Sequence, residues 1–176
     1  LDDLDAYADE DVATIIVDTE TGERLPHFVE LDQDTAGTDR QLLILRPVVP
    51  MRHARRYVVG VRDLRRQDGD EFIPATGFAT LRDGGATEDP DLERQRARYE
   101  HEVFPILAAA GFDRARLQIA WDFVTGSLEG VTREATHIRD LALATTPEGG
   151  PPYRVDSIED ANCAQEGVRI GRTLRL

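Results

Sequence analysis

For about its first eighty residues the chain alternates short apolar runs with polar turns; after that, the apolar positions recur at helical spacing. Val12 to Val17 (VATIIV) is a β-branched run, Thr19 to Gly22 (TETG) is a turn, and His27 to Leu31 is a second short strand. Asp32 to Asp39 make a polar loop around Gly37, and Leu42 to Leu45 is apolar on both faces, like a strand inside a sandwich. Tyr57, Val59 and Val61 alternate with Val58, Gly60 and Arg62, so the two sets point to opposite faces of a strand. The turn at 67–70 (QDGD) leads to a closing strand expected at Gly77 to Leu81. These strands predict an Ig-like antiparallel β-sandwich over residues 12–84, after an acidic lead-in at 1–11. Tyr57, opening a late strand after the corner at Met51, is placed to form a tyrosine corner, ring inward and hydroxyl bonded to backbone a few residues upstream.

The second half predicts a small helix-strand-helix-strand unit over 85–176, making the chain mainly β with an α/β extension. Asp89 and Pro90 are a helix start, an N-cap followed by proline at the first helical position. Leu92, Tyr99, Val103, Ile106, Leu107 and Ala110 then share one face; Pro105 kinks the helix and Gly111 ends it. Leu117, Ile119, Trp121 and Phe123 line one side of a strand. Val131, Ala135, Ile138 and Ala142 mark the second helix, and Val168, Ile170, Leu174 and Leu176 alternate to the last residue. A strand reaching the last residue lacks its partner or its continuation, so the chain is expected to be part of a longer one. The start at Leu1 rather than Met fits either removal of an export signal or excision from a longer chain.

Charge narrows the partners. The net charge is −13, and residues 1–39 carry thirteen carboxylates against a single Arg24. Every basic residue is arginine, which excludes lysine nucleophiles, Schiff bases and a phosphate-loop lysine. A chain this acidic is a poor ligand for phosphate backbones, so no nucleic acid is expected as a partner. No apolar run approaches the roughly 20 residues of a membrane span. The lone Cys163 forms no internal disulfide; it is a small thiol or the mate of a partner's.

No catalytic constellation emerges, and no residue is assigned a catalytic, cofactor or metal role. Ser127 and Ser157 both lack the G-x-S-x-G elbow of a hydrolase nucleophile, and Ser127 between strand and helix is a capping residue. Glu134 and His137 form one E-x-x-H pair without the second copy a di-iron bundle needs, so with Asp140 they make a solvated helix side. Glu100 and Glu102 flank His101 but diverge on a helix. Asp32, Asp34 and Asp39 resemble a calcium loop, yet Leu43 stands where the bidentate Glu belongs. Asp68, Asp70 and Glu71 form another acidic turn, as do Asp2, Asp3 and Asp5. Asp122, next to Trp121, reads as a structural carboxylate bonded to Thr125 or backbone. Arg52, Arg55, Arg56, Arg65 and Arg66 either dock carboxylates, including the acidic N-terminal segment, or solubilise the surface.

Three segments together carry a resemblance: RPVVPMRHARRYVVGVRDLRRQDG, then ATLRDG with RYEHEVFPILAAAGFDRARLQIAWDFVTGS, and DSIEDANC with IGRTLRL. They are similar to the N-terminal regions of large secreted bacterial proteins whose C-terminal part is a lipase- or esterase-like α/β-hydrolase. The resemblance implies a non-catalytic structural or interaction region that supports or shields such a domain. It implies an extracellular or periplasmic location, with the downstream domain of the same protein as partner. No catalytic residue carries over, because the nucleophile motif is not in this chain. The alternative is a free-standing extracellular binding or adhesion module, and a third reading is a small enzyme using Asp122 or Cys163.

Overall fold

The computed structural model describes residues 9, 11–34, 41–66, 68–146, 157–159 and 173–175. They form a mixed α/β structure with antiparallel sheets. The chain divides into two compact units, Leu1–Val131 and Thr132–Leu176. Residues 85–131, expected with the extension, therefore share a unit with the strands before them.

In the first unit, β1 (Thr14–Asp18), β4 (Arg56–Arg62) and β5 (Leu117–Val124) form a three-stranded antiparallel sheet with β4 in the middle. β2 (His27–Leu31) and β3 (Leu43–Pro47) form a separate antiparallel pair, in register from His27 opposite Pro47 to Leu31 opposite Leu43. The turn after β1 forms as its residues dictate: Asp18 accepts from the Glu20 N–H at 2.9 Å, and Gly22 supplies a positive φ of 73°.

The closing strand expected at Gly77 to Leu81 is instead helix α1 (Thr76–Asp83). Its C-terminal cap and its side-chain contacts favour the helix. Thr80 Oγ1 bonds the Thr76 carbonyl, and Gly84, left-handed at φ 70°, bonds the Thr80 carbonyl. Helical spacing also turns Phe78 and Leu81 toward the same side, where Phe78 meets Tyr99 and Phe104 edge-on at centroid distances of 6.4 and 6.5 Å. A five-residue alternation was too short to outweigh these contacts.

Helix α2 (Pro90–Arg98) starts as expected, with the Asp89 carboxylate accepting from the Asp91 and Leu92 N–H groups. It continues through a π-helical turn, Tyr99–Val103, into α3 (Phe104–Ala109). Pro105 has no N–H to bond the carbonyl four residues back, and the ladder widens just before it, so that the Phe104 N–H reaches the Tyr99 carbonyl. Gly111, at φ 83°, ends the helix.

The sheet buries both faces of β4. On one side Ile15, Val17, Val58 and Ala120 pack with Val103, Phe104, Leu107, Phe112 and Leu117. Complete burial of a side chain of this size contributes about 1.5–3 kcal/mol. The helix comes so close that a Cβ on Gly60 would lie 3.0 Å from Leu107 Cδ2, which explains a glycine mid-strand. On the other side Ile16, Tyr57 and Val59 pack with Leu25, Leu45, Met51 and Phe123. The tyrosine corner is present: Tyr57 is buried, and its hydroxyl accepts from the Arg52 N–H at 3.0 Å.

β5 departs from strict alternation. Val61 faces Ile119 but Arg62 faces Leu117, so Gln118 is an extra residue. This bulge turns Leu117 into the helix-side core, away from the face of Ile119, Trp121 and Phe123 with which alternation had grouped it. Gln118 fills the irregular spot by bonding the Leu64 N–H and the Leu64 and Phe72 carbonyls.

The second unit contains most of α4 (Leu128–Thr145) and a short antiparallel pair, β6 (Ser157–Glu159) with β7 (Thr173–Arg175). The expected terminal strand is represented by β7; Cys163, Val168, Ile170 and Leu176 lie outside the described residues.

Candidate functional site

The ion pairs of the first unit gather around Asp122, Asp18, Glu100 and Glu102, each held by arginine. Asp122, 5% exposed, takes Arg56 Nε at 2.6 Å and the Arg98 guanidinium on its other oxygen. Burial works to raise its pKa, but the hydrogen bonds from Arg98 and Arg56 outweigh it and the carboxyl lies below its ordinary value. Its partners are thus two guanidiniums rather than Thr125 or backbone, an arrangement that disfavours the protonated acid a proton donor would need. Thr125 instead bonds the Arg55 N–H and the Arg52 carbonyl.

The arginine cluster separates in space. Arg55 reaches Asp18 and Glu20 from the acid-rich first stretch, while Arg56 also holds Glu102. Arg65 lies 3.7 Å from Glu71 in the second acidic turn. Two further arginines are structural. Arg62 is 2% exposed, stacks 4.0 Å from the Phe112 ring centroid, and donates to the Val12 and Gly111 carbonyls at 3.1 and 3.0 Å. Arg114 grips Glu100 with two nitrogens at 2.6 Å each and covers the Phe104 ring.

The remaining candidates are local. Ser127 Oγ accepts from the Gly130 N–H at 2.9 Å, a capping bond at the start of α4. Glu134, His137 and Asp140 are exposed on α4. Glu100 and Glu102 go to different arginines, leaving His101 between them without a shared ligand direction. Asp32 bonds the Asp34 N–H and Asp68 the Asp70 N–H, as turn residues do. Among the described residues no three His, Cys, Asp or Glu side chains could hold one metal ion. Asp2, Asp3, Asp5 and Asp39 lie outside the described residues.

What sequence reasoning did not single out is the outer edge of β5. Ile119 and Trp121 are 46% and 37% exposed, and Val124 is exposed beyond them. Beside that edge runs an apolar groove of about 280 Å³, lined by Phe78 and Leu81 of α1, Leu92 of α2, Tyr99, Ala120 and Trp121. The Tyr99 hydroxyl donates to the Ala120 carbonyl at 2.9 Å, and burial, with the charge of Asp122, raises its pKa. The hydroxyl therefore stays a donor. The sequence signal was available: LQIAWDFV contains one ionisable residue, and that residue is neutralised within the fold. An ordinary exposed edge carries charge or proline.

Comparison with protein families, curated proteins and solved structures finds no match to this chain. Among the described residues no helix is long and apolar enough to cross a membrane.

Proposed function

We propose that this chain is a non-catalytic structural and interaction region, one that binds a neighbouring polypeptide and performs no bond chemistry. The observation that carries the reading is the contrast within the first unit. Asp122, Glu100 and Glu102, the carboxylates beside β5 and the helices, are each held by arginine, whereas an apolar strand edge and the groove beside it stand open. The resemblance in the sequence supplies the setting: a secreted, extracellular or periplasmic protein in which this region supports or shields an α/β-hydrolase domain. We read the β portion as a reduced Ig-like sandwich. Leu45 of the β2–β3 pair packing on Tyr57 and Val59, together with the tyrosine corner, supports that reading.

Two measurements test the proposal. The pure chain, incubated with a short-chain p-nitrophenyl ester, is expected to give only the buffer rate; turnover that scales with chain concentration would end the non-catalytic reading. The intact mass of the native protein from its source is expected to lie far above 19.6 kDa. A mass near that value would replace the hydrolase setting with the free-standing binding module.

A further inference from the structure

We propose that the outer edge of β5 is the docking site for one extended strand of a partner polypeptide, with an apolar side chain seated in the groove under α1 and α2. The inference deepens the proposed function and rests on it.

The ladder to β4 fixes which backbone groups are available. Thr125 donates to the Arg55 carbonyl, and the pairs continue as Tyr57 with Phe123, Val59 with Trp121 and Val61 with Ile119. In an antiparallel ladder hydrogen-bonded pairs recur every second residue, so Ile119, Trp121 and Phe123 bond β4. Ala120, Asp122 and Val124 then direct their N–H and C=O groups outward; the Ala120 carbonyl is taken by the Tyr99 hydroxyl, so the row offered to a partner is the Ala120 N–H and both groups of Asp122 and Val124. The Tyr99 hydroxyl on the Ala120 carbonyl agrees with that parity. Among the described residues no strand pairs with this edge. A row of backbone donors and acceptors at every second residue is matched by another extended backbone, which identifies the occupant as a strand.

The groove specifies its side chain. Phe78, Leu81, Leu92 and Tyr99 extend the helix-side core past Ala120, where a residue of an added strand would point. An apolar cavity of about 150 Å³ admits benzene, so about 280 Å³ takes a large aliphatic or aromatic side chain. The same helices argue against a second copy. Two β5 strands joined about a two-fold axis would put both helix layers on one face, each over the place the other must occupy. A lone strand meets no such obstacle.

The probe is a synthetic peptide of about eight residues, alternating valine and threonine with arginine at each end, added to the intact chain. Amide exchange at Ala120 and Asp122 is expected to be fast in the chain alone and to slow roughly tenfold with saturating peptide. Methylating the peptide nitrogens on its pairing edge is expected to weaken binding roughly tenfold or more, as is Leu92→Arg in the groove roof. Should Leu92→Arg fail to fold, the methylated peptide still decides. Equal binding of methylated and unmethylated peptide would overturn the proposal. So would slow exchange at Ala120 and Asp122 without peptide, which would mean the chain covers its own edge, or concentration-dependent protection, which would mean a second copy does. None of these outcomes affects the ester assay, so failure here is distinguishable from catalytic activity in the chain.

Discussion

The two edges of the three-stranded sheet carry similar residues and meet different fates. At β1, the chain folds back on itself: Leu25 donates to the Ile16 carbonyl at 2.7 Å, Asp18 donates to the Glu23 carbonyl at 3.0 Å, and Thr14 meets His27 at 2.9 Å. Ile16 is 3% exposed. At β5 the following residues leave the strand for a helix, and Ile119, at the same kind of alternating position, stays 46% exposed. Apolar alternation thus reports that a strand face is to be covered without reporting what covers it. At one edge the cover lies within about thirteen residues; at the other we assign it to a partner.

The largest effect that would sharpen this contrast is a lysine at each edge. Ile16→Lys buries an unpaired ammonium and is expected to cost more than about 4 kcal/mol, enough to abolish a cooperative urea transition. Ile119→Lys should change stability by no more than about 0.5 kcal/mol. Equal losses at the two positions would break the comparison.

Next in size is Arg62→Leu on the central strand between the edges. It orphans the Val12 and Gly111 carbonyls and removes the cation from Phe112, for an expected loss of about 3 kcal/mol by urea denaturation. Because β4 supports both edges, amides of β1 and β5 should lose protection together.

Asp122→Ala is expected to cost about 2 kcal/mol. It leaves Arg56, largely buried, facing no carboxylate but Glu102, while the half-exposed Arg98 contributes little. A double-mutant cycle with Arg56→Ala should recover part of the loss, since the orphaned cation is then gone. A fully additive cycle would show that the pair is not coupled.

Acid should act on the β1 edge before it reaches the carboxylates near β5. Burial lowers the His27 pKa from its ordinary 6.5, opposed by the bond from its ring to the Leu25 carbonyl. The folded state therefore prefers neutral His27. Its contribution is complete above the unfolded value of 6.5 and is lost as pH falls through that value toward the lower folded one. The carboxylates Asp122 and Glu100, held below their ordinary values, lose theirs only as pH falls further, through those ordinary values toward the lower folded ones. The urea midpoint is expected to drop between pH 7.5 and 5.5 in the wild type and to drop less in His27→Gln. An unchanged pH dependence in the variant would assign the loss elsewhere.

Local chemistry made much of this legible. Asp89 with Pro90 specified a helix start, Pro105 a break in the ladder, Gly111 a stop, and Tyr57 a corner, because each acts through its own backbone or a neighbour a few residues away. Gly77 to Leu81 misled because a short alternation fits strand and helix alike, and the deciding bonds came from Gly84 and from aromatic rings beyond residue 98. Asp122 illustrates the same limit. Its spacing gave its face, but its role depends on Arg56, 66 residues away, and on Arg98, 24 residues away.

By itself the sequence determined which residues turn, cap and alternate, and that no hydrolase nucleophile elbow is present. Only the tertiary structure decided that β5 joins β4, that a bulge sends Leu117 inward, and that Asp122 is held between Arg56 and Arg98. The physical reason is range. Turns and caps are settled by bonds between near neighbours, whereas strand pairing, ion pairing and the openness of an edge depend on which distant segment arrives.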